Sequence, residues 1–258
     1  MIIDTKGDIR STVIGPTGVE HRRLANEVMQ KALTQANLES GDVLSVTATG
    51  YGRISVPFAD QEITELSCHA KGVLSLFPEA TTIIDIGGQD AKGLKIKDGR
   101  LVNFVMNDRC AAGTGRFLEI LCSTLGLALD DLGELSAMST RGIKISNICT
   151  IFAQQEIISC LSEGVLLPDI VAGIHEAIAN RVSRMVRKIK VESPVVFTGG
   201  VARNSGMIIA LKKYLRVEIL VPENPIITGA IGAAILGRDM FLGGGRNDKV
   251  TSSPLSIK

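Results

Sequence analysis

The spacing of apolar residues changes several times along the chain, and each change predicts a new element. Apolar side chains recur every three or four positions in residues 21–38 and again from 170 to 189, which predicts two amphipathic helices. Short, mainly apolar runs predict strands at 43–50, 81–86, 195–198 and 217–222. The predicted helices and strands are mixed along the whole chain, which indicates an α/β fold.

Turn residues separate these elements. The pairs Lys6-Gly7 and Asp98-Gly99 each lie between two strand-like halves, so hairpins are predicted over 2–14 and 91–107. Residues 110–187 are mainly helical in pattern, and further helices are predicted at 64–77 and, rich in small residues, at 227–241. The last residues, 246–258, have the composition of a flexible tail.

Composition and charge narrow the possible functions. The 28 basic and 27 acidic residues nearly cancel, aromatic residues make up 3% and tryptophan is absent, so we expect no nucleic-acid partner. The charged start MIIDTKGDIR is not a secretory signal, and no apolar run is long enough for a membrane span, so a cytoplasmic location without membrane association is expected. Five cysteines without a CxxC pair favour neither a disulfide framework nor a zinc site within one chain.

Two glycine pairs that follow predicted strands give the first chemical signal. In DIGGQDAK, Asp85 ends an apolar strand, and Gly87 and Gly88 leave backbone N–H groups bare for an anion. A carboxylate in this place can hold Mg²⁺ through water. FTGGVARN repeats the arrangement at Gly199 and Gly200, and although one pair is explained by a tight turn, two favour a pair of lobes facing one nucleotide. The Walker A motif is absent, which excludes a P-loop, and no GxGxxG follows a strand, which argues against a dinucleotide fold.

The cysteines divide into two groups. Cys110 and Cys149 each precede a predicted helix, whose N-terminus directs the positive end of its dipole toward an anionic group. A free cysteine is usually a small buried hydrophobe, and we assign that role to Cys122 and Cys160, within helical apolar patterns. Packing is also favoured for Cys68.

Five segments together resemble one family. In chain order they are DIGGQDAK, NDRCAAGTGRFLEI, ICTIFAQQEIIS, FTGGVARN and ITGAIGAA. The set is similar to the ATP-dependent activators of 2-hydroxyacyl-CoA dehydratases, related to the benzoyl-CoA reductase ATPase subunits of the BadF/BadG/BcrA/BcrD type. The resemblance extends from the first hairpin to Gly237, and it is specific because ordinary actin-like kinases lack the cysteine-bearing segments.

The resemblance implies an actin, sugar-kinase and Hsp70 type of ATPase fold, with two lobes around a nucleotide cleft. It implies a homodimer that holds one [4Fe-4S] cluster between its subunits, with Cys110 and Cys149 as the metal ligands of each chain. Four thiolates from two cysteines per chain require a twofold axis through the cluster. Bound ATP or ADP and Mg²⁺ are also implied. The residues expected at the nucleotide are catalytic Asp85, Gln89 and Asp90, and cofactor-binding Gly87, Gly88, Gly113, Gly115, Gly199, Gly200 and Asn204.

The resemblance also predicts the domain organisation. An N-terminal lobe is expected at residues 1–77, completed by a helix at 228–245, and a C-terminal lobe at 78–227 with the phosphate turns, the adenosine turn and the cluster cysteines. The family pattern opens with a strand and a phosphate loop, DxGSTxxK, that this chain lacks before IIDTKGD. We therefore expect the first strand to be missing, through a late start site or a truncated chain in preference to a genuinely short protein. Weak nucleotide binding and poor hydrolysis by the chain as written are the expected consequence.

The expected function is that of an ATP-driven one-electron donor in anaerobic metabolism. It would take an electron from ferredoxin or flavodoxin and pass it to a 2-hydroxyacyl-CoA dehydratase or a related iron-sulfur reductase. Two alternatives stay open: a small-molecule kinase of the same fold, and a nucleotide-responsive scaffold without a cluster. On the long helix, His175 is expected to be solvated or to cap rather than to transfer a proton, and Arg181 is expected to belong to a solvated face.

Overall fold

The structure, a computed structural model, describes residues 1–243, so the tail at 246–258 and the end of the helix expected at 228–245 lie outside the described residues. Its α-helices are α1 His21–Ala36, α2 Glu65–Leu76, α3 Gly115–Leu125, α4 Leu132–Ala137, α5 Thr150–Ser162, α6 Leu167–Val186, α7 Ser205–Leu215 and α8 Thr228–Leu242. Its strands are β1 Ile2–Ile3, β2 Ile9–Ser11, β3 Thr47–Ala48, β4 Gln61–Glu62, β5 Thr82–Ile86, β6 Ala91–Lys97, β7 Arg100–Asn107, β8 Val195–Thr198 and β9 Ile219–Leu220. None of these helices is long and apolar enough to cross a membrane.

Two predicted strands are much shorter than their apolar runs. In the run 43–50 only β3 is a strand. The Val46 N–H donates to the Asp60 carboxylate and is therefore not available for pairing with another strand. In the run 217–222 only β9 pairs, and it lies at the sheet edge with Leu220 exposed. The other predicted helices and hairpins are confirmed within a few residues at their ends.

The chain divides into two compact units, and the lobe boundaries expected at residues 77 and 227 stay a prediction. The first unit comprises Met1–Cys68 and the described part of Ala233–Lys258. Its predicted hairpin is closed by the Asp4 carboxylate, which accepts the N–H groups of Lys6, Gly7 and Asp8 at 2.9–3.0 Å. Strands β3 and β4 form a separate parallel pair.

The second unit, His69–Gly232, is built on a five-stranded sheet with the order β7-β6-β5-β8-β9. β5 pairs antiparallel with β6 and parallel with β8, and all five of its residues are buried. A strand covered on both faces is expected to be continuously apolar, which explains the run interrupted only by Asp85. β5 and β8 end side by side, and the turns that follow them carry the two glycine pairs.

Helix α6 supplies much of the core of this unit. The predicted apolar stripe is buried at Ile170, Ile174, Ile178 and Val182, whereas Met185 is only half-buried. The Asp98-Gly99 turn of the β6–β7 hairpin has φ values of 50° and 70°, as a two-residue turn of the mirror-image type requires.

Candidate nucleotide and metal site

A cavity of about 450 Å³ opens beside the turns that follow β5 and β8. One wall is made of Gly87, Gly88, Gly115 and Gly200, all of them predicted site residues. An added Cβ at Gly88 or Gly200 would meet no protein atom within 4 Å, so their backbones border open space. A wall of bare backbone lets the oxygens of an anion come close to peptide N–H groups.

The cavity also has an apolar and acidic wall, which no sequence pattern predicted. Leu118, Leu129 and Ile226 supply apolar surface. The carboxylates Glu119, Asp130 and Glu134 also line it, and Arg203 is the cationic residue among those that line the cavity. Apolar surface suits a heterocyclic base, and carboxylates accept hydrogen bonds from sugar hydroxyls.

Hydrogen bonds fix the first glycine pair to the start of α3. The Gly115 N–H donates to the Gly87 carbonyl at 2.8 Å, and the Arg116 N–H donates to the Gly88 carbonyl at 2.9 Å. A Cβ at Gly115 would lie 3.0 Å from the Gly87 oxygen, so the close approach favours glycine at that position. The phosphate-type turn and the N-terminus of α3 therefore form one hydrogen-bonded element.

Two predicted catalytic carboxylates lie just behind the cavity, around a buried lysine. Asp85 accepts a hydrogen bond from the Thr198 hydroxyl at 2.8 Å, and Lys92 Nζ lies 3.5 Å from its other oxygen. Lys92 also donates to Asp90 at 2.6 Å. The lysine side chain is only 2% exposed, and both carboxylates are buried. Lys92 was absent from the predicted site.

The remaining predicted nucleotide residues are placed differently. Asn204 lines the cavity, whereas Gln89 is exposed and is not among its lining residues. Gly199 has φ +86° and an added Cβ would overlap the Ile86 carbonyl, so it permits close packing of the β5 and β8 ends. Gly113 lies instead at a second cavity of about 550 Å³.

The two predicted cluster cysteines lie close together in the second unit. Cys149 is the N-cap residue of α5, and Cys110 lies in the loop that precedes α3. The Cys110 Sγ is 3.9 Å from the carbonyl oxygen of Ile148, the residue before Cys149. Both cysteines are half-buried, so each thiol is within reach of a ligand at the surface. Two thiols supply half of the ligands of a [4Fe-4S] cluster, and this half site fits the group.

The other cysteines are placed as packing residues. Cys122 belongs to the core, and its burial raises the pKa of the thiol to about 11, so it stays protonated at neutral pH. Burial also raises the pKa of Cys68, which is fully buried. Cys160 is half-buried on α5 and packs against the core.

The prediction that His175 is solvated is wrong. The ring is only 1% exposed, because it lies on the face of α6 that packs against α7. Its Nε2 accepts a hydrogen bond from the Asn204 side-chain amide at 3.1 Å, while the Asn204 oxygen accepts the Met207 N–H. His175 therefore holds a residue of the cavity wall. Desolvation lowers its pKa from the usual 6.5 to about 4.

This buried histidine predicts a loss of stability in mild acid. The folded pKa is depressed, so the unfolded chain takes up the proton first, and the stabilisation is complete above pH 6.5 and lost as pH falls toward 4. The His175 contribution to the free energy of unfolding should be about 2 kcal/mol smaller at pH 5 than at pH 7. Urea unfolding at both pH values, for the wild type and for His175→Gln, measures it. The exposed His21→Gln is the control, and an equal pH dependence in all three proteins would contradict the assignment.

Comparison with known proteins matches the chain to a family over nearly its whole length. The model of the BadF/BadG/BcrA/BcrD ATPase family matches residues 2–237. The 2-hydroxyisocaproyl-CoA dehydratase activator of Clostridioides difficile is 49% identical over 215 residues, which are 83% of this chain and 81% of that protein. The solved structure of an activator of this name from Clostridium difficile, with bound ADPNP, superposes with a TM-score of 0.88 at 45% identity and covers 93% of this chain and 90% of its own.

A more distant structure confirms the predicted class of fold. A glucokinase of the ROK family from Streptomyces griseus, in complex with glucose and AMPPNP, superposes with a TM-score of 0.51 at 15% identity, over 92% of this chain and 94% of its own. At that identity the likeness extends to the fold alone. The actin and sugar-kinase type of ATPase fold predicted from the sequence is confirmed.

Proposed function

Because the chain belongs to the BadF/BadG/BcrA/BcrD ATPase family, we propose that it is an ATP-driven activator that donates one electron to a 2-hydroxyacyl-CoA dehydratase or a related iron-sulfur reductase. The observation that carries the proposal is a direct connection between the nucleotide cavity and the loop of Cys110. The loop of Cys110 continues into α3, whose first N–H groups are bonded to the Gly87-Gly88 turn of the cavity. A shift of that turn on nucleotide binding therefore reaches the cysteine loop through a few residues of chain.

ATP fits the cavity in one orientation. The glycine wall of Gly87, Gly88, Gly115 and Gly200 takes the phosphates, because the backbones of Gly88 and Gly200 border open space. The apolar and acidic wall takes adenosine, with carboxylates beside the ribose hydroxyls. Asn204, held by His175, is a polar lining residue that can bind the nucleotide. Gly113 and Gly199 do not line this cavity, and both support the fold of the adjoining loops.

Mg²⁺ fits the carboxylate pair behind the phosphate wall. Asp85 and Asp90 offer the oxygen ligands that Mg²⁺ prefers, directly or through water, and the ammonium group of Lys92 balances one of their two charges. The ion would neutralise phosphate charge during hydrolysis. Asp85 would hold the water shell of the ion, and Asp90 or the exposed Gln89 would orient the attacking water.

A [4Fe-4S] cluster fits between two copies of the chain, with Cys110 and Cys149 of each as ligands. The surface around Cys149 supports a dimer here, since Ile148, Ile151 and Phe152 are 69%, 64% and 59% exposed. Adjacent exposed apolar side chains of this size mark an interaction surface. The cluster would supply a carrier of single electrons, and the N-terminus of α5 would stabilise its negative charge.

The partners follow from this role. Ferredoxin or flavodoxin supplies the electron, and a dehydratase or reductase component receives it after ATP hydrolysis changes the contact between the subunits. The acyl-CoA substrate binds the partner enzyme. A transient complex with two different proteins requires that the cluster stay near the surface, as the half-buried cysteines allow.

Alanine at Gly88 or Gly200 is expected to weaken nucleotide binding at least tenfold without unfolding the protein. The new methyl group meets no protein atom, but it enters the space assigned to the phosphates. Gly142→Ala, equally open but outside the cavity, is the matched control. Slow hydrolysis by this chain stays a prediction, so titration with a fluorescent ATP analogue should compare each variant with the unsubstituted chain. Equal affinity in all four proteins would refute the phosphate assignment.

A further inference from the structure

Arg181 connects the loops that carry the two candidate cluster ligands. Its guanidinium Nη1 donates to the Asn147 carbonyl, two residues before Cys149, at 2.8 Å. Its aliphatic stem packs against Gly113, three residues after Cys110, so closely that an added Cβ there would lie 3.0 Å from Arg181 Cδ. One side chain thus contacts both loops.

The arginine is held on a rigid support. Its neighbours on α6, Ile178 and Val182, are each 1% exposed, so the backbone that carries it is fixed in the core. The prediction of a solvated Arg181 is therefore wrong, because the side chain is half-buried between the two loops.

Each loop is also fixed at a point away from its cysteine. The Asp169 carboxylate accepts the N–H groups of Thr140 and Arg141, at the start of the loop that leads to Cys149. On the other loop, the Asn107 side chain donates to the Cys110 and Ala112 carbonyls at 3.0 Å. These bonds fix each loop separately, whereas Arg181 reaches from one to the other.

The charge of Arg181 has no carboxylate partner within residues 1–243. The cavity beside it, which Gly113, Asn147 and Ile148 also line, contains the further cations Arg184 and Lys188 and no acidic residue. The guanidinium group of Arg181 therefore adds a positive charge beside the two loops. An anionic group bound by the two cysteines would lie in the field of this charge.

We propose that Arg181 is a positioning residue for the cluster, a role that rests on the function proposed above. It holds the Cys110 and Cys149 loops in one arrangement, and its positive charge favours the reduced cluster, which is one electron more negative. Loss of the side chain should therefore release the cluster faster and lower its reduction potential, since charge and hydrogen bonding near a cluster set that potential.

The test compares Arg181→Gln with Arg184→Gln. Arg184 lies on the same helix and lines the same cavity, but it is exposed and touches neither cysteine loop through a hydrogen bond. The first readout is the rate of iron loss to a chelator from anaerobically reconstituted protein. The second is the midpoint potential, from redox titration followed by EPR. The third uses the cluster-free protein: the rate at which trypsin cuts at the exposed Arg141 and Lys144 of the loop before Cys149.

Arg181→Gln is expected to lose iron at least threefold faster than the wild type, to have a lower midpoint potential, and to be cut faster at Arg141 and Lys144. Arg184→Gln should match the wild type in iron loss and in proteolysis, and Arg181→Lys, which keeps the charge, should restore most of the potential. If Arg181→Gln behaves like Arg184→Gln in all three measurements while the wild type holds its cluster, the inference is wrong and the proposed function stands. If the wild type holds no iron, the proposed function fails, and the proteolysis rates alone still decide whether Arg181 fixes the loop.

Discussion

Replacement of Cys149 by serine is expected to reduce the bound iron to background. One substitution per chain removes two of the four ligands from a cluster shared by two subunits, so the effect is larger than at a site within one chain. The same result is expected for Cys110→Ser, because the two loops lie together, with the Cys110 Sγ 3.9 Å from the Ile148 carbonyl. Activation of the partner enzyme should fall with the iron.

The measurement is iron and sulfide per chain after anaerobic reconstitution, together with the EPR spectrum of the reduced protein. Cys160→Ser is the matched control, since Cys160 is also half-buried and belongs to the same helix, α5, near its other end. It should keep full iron content. Retention of a cluster by the double variant Cys110→Ser/Cys149→Ser would show that the ligands lie elsewhere.

Replacement of Lys92 by methionine is expected to lower the free energy of unfolding by about 3–5 kcal/mol, as for other broken buried ion pairs. The lysine is 2% exposed and lies between Asp85 and Asp90, so its loss removes a buried positive charge from beside two buried carboxylates. Methionine keeps most of the volume of the side chain, and the change is therefore mainly one of charge.

Lys95→Met provides the comparison for Lys92→Met. Lys95 lies on the same strand and pairs with Glu192, which is 63% exposed, so loss of this pair should cost at most about 1 kcal/mol. Urea unfolding at pH 7 measures both variants. Similar small losses for the two would mean that the Asp85–Lys92–Asp90 cluster does not balance its charges as described. ATP hydrolysis should also decrease in Lys92→Met, because Asp85 loses a neighbour that orients it.

Much of the candidate site follows from local sequence patterns. The two strand-glycine turns predicted Gly87, Gly88 and Gly200 as residues of a nucleotide site, and all three line the cavity. The pairing of Lys92 with Asp85 was accessible by the same reasoning: DIGGQDAK is a tight β5–β6 hairpin in which these two residues lie directly opposite. Residues opposite one another on antiparallel strands share a face, so the buried carboxylate required a partner there.

The rest depends on contacts between distant segments. His175 contacts Asn204 because α6 packs on α7, and Arg181 contacts Asn147, which lies in the long loop between α4 and α5. Nothing in the helical pattern of α6 distinguishes these polar residues from the solvated ones beside them. The acidic wall has the same origin, since Glu119 and Glu134 lie on different helices that meet only in the folded unit.

The shared cluster is tested most directly by the number of irons per chain in the wild type, measured together with the mass of the particle that holds them. One cluster shared by two chains predicts about two irons per chain, in a particle of twice the 27.4 kDa chain mass, and separation into monomers when the iron is removed. Four irons per chain in a monomer, or a nucleotide-binding dimer without iron, would contradict the shared cluster on which the proposed function depends.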